Sequence, residues 1–339
     1  MACLTAVEPT VDCALPTVSV IVRSAAASSR RDLFRRALQS IQMQRGALVD
    51  TIVVFNGTAL DERTVQWAQC QPRTRCVILN GPDVAGATFL GRLLVRSEFF
   101  TYLDDDDELL ANAILYRIKR MREDPSLDCV ATNGVYCTKD GVKPLFEQTH
   151  VYEQLGLRES LVRSKNWLHS CGGLFRTSSV KATYFYGLPQ YREWTVLAYR
   201  LSCDLQCRFD DVRTYRVNDT EKSLSKRDAY VESSVEALEH MLRYTKNRAH
   251  ARALGLRKSD AHRRTSSHYR INGDFARAWQ SFGRAIAAPG GWRYLPYSLL
   301  LTLRVARPIG ELNPLNRFRR IVDNCRHAAR RLAGAAQRA

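Results

Sequence analysis

Short apolar, β-branched runs alternate with amphipathic helical stretches through the first 135 residues, and this alternation restricts the chain to an α/β fold. The runs are Thr17-Val-Ser-Val-Ile-Val22, Thr51-Ile-Val-Val-Phe55, Cys76-Val-Ile-Leu79, Phe99-Phe-Thr-Tyr-Leu103 and Asp128-Cys-Val-Ala-Thr132. Between them Leu33, Phe34, Ala37, Leu38 and Ile41 recur at helical spacing. A helical stretch covers Gly86–Val95, and Leu109, Leu110, Ile114, Leu115, Ile118 and Met121 mark a strong amphipathic helix. These distances predict right-handed β-α-β units and a mostly parallel sheet with flanking helices. In such sheets ligands sit beyond the carboxyl ends of the strands. That directs attention to Arg23–Ser24, Asn56–Thr58, Asn80–Gly81 and Asp104–Asp107.

The pattern changes near residue 135. Thr138-Lys-Asp-Gly141 reads as a turn between the strands Val135–Cys137 and Val142–Leu145. Short elements follow at Gly172-Gly-Leu-Phe175, in a helix over Trp194–Leu201 and in a strand over Val212–Val217. Asp210 and Asp211 read as turn residues before that strand. From Ala229 the chain is helical and Arg-rich, with one helix over Gly273–Ala287 ended by Pro289-Gly-Gly291. Three segments are expected, 16–135, 136–228 and a basic helical C-terminal region over 229–339.

Charge narrows the partners. Among 339 residues, 51 Lys and Arg stand against 34 Asp and Glu, a net +17. Such an excess suits nucleic acid, an anionic membrane face or phosphorylated substrates. Ten cysteines are scattered from Cys3 to Cys325 without a paired CxxC pattern, so reduced thiols in a cytoplasmic protein are expected. The first twenty residues carry Glu8 and Asp12 and no Lys or Arg, so no signal peptide is expected. The apolar stretch Tyr294–Leu303 is about half the length of a membrane-spanning helix. A soluble or peripheral protein is the expectation. Arg293, Arg304, Arg307, Arg317, Arg319 and Arg320 with Trp292, Tyr294 and Leu299–Leu301 read as a segment for an anionic membrane surface.

The sharpest chemical feature is Tyr102-Leu-Asp-Asp-Asp-Asp-Glu108, where an apolar strand stops in consecutive carboxylates. Asp107 and Glu108 alone would serve to cap a helix. Four adjacent Asp repel one another unless a cation compensates, and hard oxygen ligands at a strand end suit Mg²⁺ or Mn²⁺.

With these elements the chain resembles an inverting family 2 glycosyltransferase of the GT-A fold, of the bacterial surface-polysaccharide type. The resemblance is carried by Val18-Ser-Val-Ile-Val-Arg-Ser24, Arg30–Arg31, the helix Leu33–Ile41, Ile52-Val-Val-Phe-Asn-Gly-Thr58 and Phe100-Thr-Tyr-Leu-Asp-Asp-Asp-Asp107. Arg192-Glu-Trp-Thr195, Ala198-Tyr-Arg-Leu201, Tyr215-Arg-Val-Asn218 and Ser223-Leu-Ser225 extend it to about residue 226. It implies transfer of a sugar from a nucleoside-diphosphate donor, UDP-linked, to a hydroxyl of a saccharide or lipid-linked acceptor. It also implies a cytoplasmic site, at or near the inner face of the cell membrane.

On that resemblance, residues 16–135 hold the donor and 136–228 the acceptor. Asp104 and Asp106 are the metal-side ligands, with Mn²⁺ or Mg²⁺ as cofactor, and Asp105 faces the ribose or diphosphate. Ser24, Arg30 and Asn56 complete the donor side, with Arg23 and Arg31 as further basic candidates. Glu193 is the general base, with Asp210 or Asp211 next in line, and His169 and Trp194, the latter for stacking on a sugar, lie on the acceptor side.

The chain departs from the family pattern at three places. Phe55 and Asn56 replace the two acids that usually end the second strand, although an Asn amide can still bond a uracil edge. Phe89 stands where an Asn often precedes Gly91 by two residues, and Arg192 takes the first place of the usual acidic pair before Glu193. A sugar-phosphate nucleotidyltransferase shares the fold class but places a glycine-rich loop after the first strand, and Ser24-Ala-Ala-Ala-Ser-Ser29 has no glycine. A non-catalytic nucleic-acid-binding protein would account for the charge but not for four carboxylates where phosphates must approach. No G-x-S-x-G elbow supports a hydrolase at Ser170.

Overall fold

The computed structural model describes residues 15–220 and 228–304. Ser223–Ser225, Arg307, Arg317, Arg319, Arg320, Cys3 and Cys325 lie outside the described residues. The elements run β1 (Thr17–Ser24), α1 (Arg31–Gln42), β2 (Leu48–Phe55), α2 (Glu62–Gln69), β3 (Thr74–Ile78), α3 (Val84–Leu93) and β4 (Phe99–Asp104). Next come β5 (Glu108–Leu109), α4 (Ala113–Glu123), β6 (Cys129–Thr138), β7 (Gly141–Pro144), α5 (His150–Leu155), α6 (Leu157–Val162) and β8 (Gly173–Arg176). The remainder is α7 (Glu193–Asp204), β9 (Cys207–Asn218), α8 (Asp228–Tyr244), α9 (Arg248–Ile271), α10 (Phe275–Ala287) and α11 (Ser298–Thr302).

One sheet has the order β3-β2-β1-β4-β8-β6-β9-β5, with β7 paired to β6. The four strands predicted from the first hundred residues are parallel neighbours, β1 lying between β2 and β4. β8 enters antiparallel between β4 and β6, while β6 and β9 are parallel. Alternation along the parallel strands sends successive side chains to opposite faces. Ile21, Ile52, Val54, Phe100 and Tyr102 pack in one core with α3 and α7, including Ala87 and Leu197. Val18, Val20, Val22, Val53, Phe55, Phe99 and Leu103 pack in the other with Phe34, Leu38, Ile114 and Ile118 from α1 and α4. Gly91 lets α3 lie directly on β1, since a Cβ there would stand 2.3 Å from Ile21 Cγ2.

Two local expectations change. Leu109 and Leu110 do not open the amphipathic helix: residues 108–109 form β5 against Tyr215 and Arg216 of β9, and Leu110 N–H donates to Thr214 O at 2.9 Å. The helix α4 starts only after Asn112, which takes a left-handed conformation with φ 60°. The carboxylates at 104–107 therefore do not cap it, which removes the capping explanation for them. Asp210 and Asp211 lie inside β9 rather than in a turn before it, where the ladder with β6 shifts register between Thr132 and Val135.

The chain separates into two compact units, Met1–Ala261 and His262–Ala339. The first contains the sheet. The second has its own small core of Tyr269, Ala278, Phe282, Tyr294 and Leu301, and Asp274 caps α10 by accepting from Arg277 N–H at 3.0 Å. The seven described cysteines are free thiols. Among the described residues no helix is long and apolar enough to cross a membrane.

Candidate functional site

The site is built where β1 and β4 end side by side. Register places Arg23 opposite Asp104, and the Arg23 guanidinium donates to Asp104 Oδ1 at 2.5 Å and to Glu193 Oε1 at 3.0 Å. Thr88 Oγ1 of α3 accepts a third Arg23 hydrogen bond at 2.8 Å. One buried arginine thus joins the carboxylate turn to Glu193, the first residue of α7, which lies 170 positions from Arg23 in the chain. Arg192, just before that helix, adopts φ 58°, an uncommon conformation for a side-chain-bearing residue that turns the chain into α7.

The turn that follows β4 is closed by Asp107 N–H donating to Asp104 O at 3.1 Å. Its four carboxylates each have a different neighbourhood. Asp104 also accepts from Ser170 Oγ at 2.6 Å. Asp105 accepts from Ser24 Oγ at 2.6 Å and from Arg30, whose guanidinium lies 2.8 Å from Asp106 Oδ2 as well. Asp106 accepts from Thr220 Oγ1 at 3.1 Å. Asp107 is buried and accepts from Asn218 N–H at 3.1 Å and from the Cys171 thiol at 3.3 Å.

Two guanidinium groups do not neutralise this set. Burial pushes Asp106 up to about 6, and the negative neighbours Asp105 and Asp104 add to the shift. Burial likewise raises Asp105, Asp107 and Glu193 above the ordinary carboxylate range. Burial also works against ionisation of Asp104, but Arg23 and His169 hold it below that range. The oxygen-rich, under-compensated set fits a hard divalent cation, and Asp104 and Asp106 remain the more open of the four, with 30% and 16% side-chain exposure. A second group of possible ligands, Asp107, His169 and Cys171, has donor atoms within 4.8 Å of one another. Burial raises the Cys171 thiol well above its usual range, so it donates to Asp107 as a neutral group.

No protein-family model and no curated protein matches the chain. Solved structures do. Residues 1–349 of S. aureus TarS, crystallised with UDP-GlcNAc, superpose with a TM-score of 0.57 at 16% identity, covering 85% of this chain and 88% of that one. The Pyrobaculum calidifontis mannosyltransferase PcManGT, crystallised with GDP-Man and Mn²⁺, gives 0.51 at 17% identity over 87% and 85%. The fold is GT-A.

In this GT-A frame the structure brings Ser24, Arg30, Asp104, Asp105, Asp106 and Glu193 together, with His169 beside them through the 3.1 Å contact of Nδ1 with Ser170 Oγ. The His169 ring stacks on Tyr215, and burial lowers its pKa. Asn56 follows β2 as a buried residue, its N–H donating to Ser24 O at 2.9 Å. Gly57 is required next to it, because a Cβ would meet Ala25 O at 2.2 Å.

Three expected groups are occupied elsewhere. Trp194 is buried, edge-on to Tyr102 at 5.0 Å and beneath Arg23 at 5.5 Å, so its faces belong to the core rather than to a stacked sugar. Arg31 turns away to a forked pair with Asp61, the cap of α2. Asp210 holds Arg120, Arg208 and Tyr116, and Asp211 accepts from Asn133 and Thr149. Ser170, Cys171, Asn218 and Thr220 reach the carboxylate turn and Thr88 reaches Arg23; sequence reasoning gave none of them this role, because small polar residues have no spacing that marks them.

Proposed function

We propose that the chain transfers a sugar from a UDP-linked donor to a hydroxyl of a saccharide or lipid-linked acceptor, with inversion and with a requirement for Mn²⁺ or Mg²⁺. The observation that carries this reading is the under-compensated carboxylate turn at the end of β4, joined through Arg23 to the buried Glu193. The GT-A fold supports the class of reaction, as do TarS crystallised with UDP-GlcNAc and with UDP and PcManGT with GDP-Man and Mn²⁺. Assignment to family 2 and to polysaccharide assembly in the cytoplasm rests on the motif resemblance.

Asp104 and Asp106 would hold the cation, which supplies Lewis-acid stabilisation of charge on the departing diphosphate. Ser24 and Arg30 fix Asp105 for the donor's ribose or diphosphate, and Asn56 offers both a donor and an acceptor to the base. Glu193 takes the proton of the acceptor hydroxyl as that oxygen bonds to the anomeric carbon and the bond to the diphosphate breaks. Burial raises its pKa, which makes it the stronger base, while Arg23 keeps the carboxylate oriented. Attack from the face opposite the leaving group inverts the anomeric centre. Residues 16–135 serve the donor and 136–228 the acceptor.

The direct test is release of nucleoside diphosphate from a panel of nucleotide-sugars with Mn²⁺, Mg²⁺ or chelator, with and without saccharide acceptors. Release from a UDP-sugar that stops in chelator is expected. No release and no thermal stabilisation by any member of the panel would overturn the reading.

A further inference from the structure

The segment 291–303 is apolar on both sides, and the two sides have different fates. Tyr294 and Leu301 are buried against Phe282, Ala278 and Tyr269, with Tyr297 packed beside them. Facing away are Trp292 at 74% exposure, Leu295 at 54%, Leu299 at 63% and Leu303 at 72%. Their intervals of three, four and four keep them on one side of a helical stretch, opposite the small core. Four such residues within twelve positions exceed the scattered exposed hydrophobics that any surface carries.

The surrounding charge selects the occupant. Besides the buried Arg270, residues 262–304 carry Arg263, Arg264, Arg277, Arg284, Arg293 and Arg304 against one acid, Asp274. A second copy seated on this face would oppose arginine to arginine, and the sequence after Arg304 is again arginine-rich. An aromatic and leucine face flanked by arginines has the composition of a surface that lies in the headgroup region of an anionic bilayer.

We propose that Trp292, Leu295, Leu299 and Leu303 insert into an anionic lipid surface. The face differs from the expected segment: Tyr294 and Leu301 belong to the core, and Leu295 and Leu303 replace them outside. The inference is independent of glycosyl transfer, since none of these residues belongs to the carboxylate site.

The experiment is co-sedimentation of the full chain with phosphatidylglycerol-containing vesicles and with pure phosphatidylcholine vesicles, at low and high salt. Binding to the anionic vesicles alone, weakened by salt, is expected. Leu299→Asp with Leu303→Asp should reduce it at least about tenfold, since each moves a charge into the acyl boundary, while the melting temperature stays within the wild-type range because both sites are exposed. Should that variant not fold, brominated lipid decides: it should quench the wild type and quench Trp292→Phe much less. No binding, equal binding to neutral vesicles, or an unchanged quench in Trp292→Phe would overturn the proposal. So would a wild-type dimer in lipid-free solution that the double variant abolishes, which would give the face to a second copy.

Discussion

Two buried charged clusters share strand β4 and solve the same problem in opposite ways. Midway along it, Thr101 meets Arg117 of α4, which is wholly buried. That guanidinium donates to Thr132 Oγ1 at 3.2 Å, to Thr101 Oγ1 at 3.3 Å, to Cys171 O at 2.7 Å and to Thr214 Oγ1 at 2.6 Å. These partners are neutral, and burial lowers the Arg117 pKa to about 10. At the end of the strand, charges meet charges, yet Asp106 is still pushed up to about 6 and Asp107 well above the usual range. A buried charge that donates to four groups on neighbouring elements ties those elements together. Where several like charges crowd together, only protonation or a cation relieves their mutual repulsion, and that crowding is the property of a ligand site.

The comparison breaks if the two clusters respond alike to substitution. Asp106→Asn should abolish transfer while raising the melting temperature of the metal-free protein, because it removes one of several repelling carboxylates; retained turnover would place the cation elsewhere. Glu193→Gln should lower turnover by about 10²–10⁴-fold with donor affinity unchanged, the scale of a lost general base. Turnover within threefold of wild type would return Glu193 to a structural role beside Arg23. Arg117→Met should act only on stability, by about 1–3 kcal/mol from the orphaned Cys171 carbonyl and its neighbours. Chemical denaturation measures it, and a specific loss of metal affinity in the folded variant would erase the distinction between the clusters.

The last effect is the pH dependence in chelator. Asp106 has a folded pKa of about 6 against an ordinary 3.8, so the folded state holds more protons between those values. Stability from this group is complete below the unfolded value and falls as pH rises to about 6, by about 3 kcal/mol. Asp104, shifted downward, acts only below that window. Asp105, Asp107 and Glu193, also raised, act in the same direction. Thermal unfolding from pH 4.5 to 7.5 should therefore show a decline that Asp106→Asn makes shallower; a slope unchanged in the variant would locate the titration in the other groups.

Much of this architecture was legible because it is periodic. β1 to β4 and α1 announce themselves by alternation and by the spacing of Phe34, Leu38 and Ile41. The carboxylate turn was legible because four adjacent like charges are costly anywhere. β5 was not, since Leu109 and Leu110 continue the apolar spacing of α4 and only pairing with Tyr215 and Arg216 draws residues 108–109 into the sheet. The first half of β9 was also hidden: the alternation of Cys207 to Asp210 is short and breaks at Asp211, and Asp210 and Asp211 resemble turn residues until Arg120 and Asn133 are placed opposite them. Arg23 was visible as a basic residue at a strand end. Its bridge from Asp104 to Glu193 was not, because it depends on where α7 returns to the sheet. Trp194 beside Glu193 invited a sugar-stacking role, and only the packing of Tyr102 against it shows why that position is aromatic.

The central claim is that the surplus charge at Asp104–Asp107 exists to take a divalent cation together with a nucleotide. Calorimetric titration of UDP into the full chain tests it most directly, with Mn²⁺ and in chelator, for the wild type and for Asp106→Asn. Binding that requires Mn²⁺ and disappears in Asp106→Asn, while Arg117→Met binds like the wild type, is the predicted result. Equal UDP affinity in chelator, or undiminished Mn²⁺-dependent binding by Asp106→Asn, would contradict it.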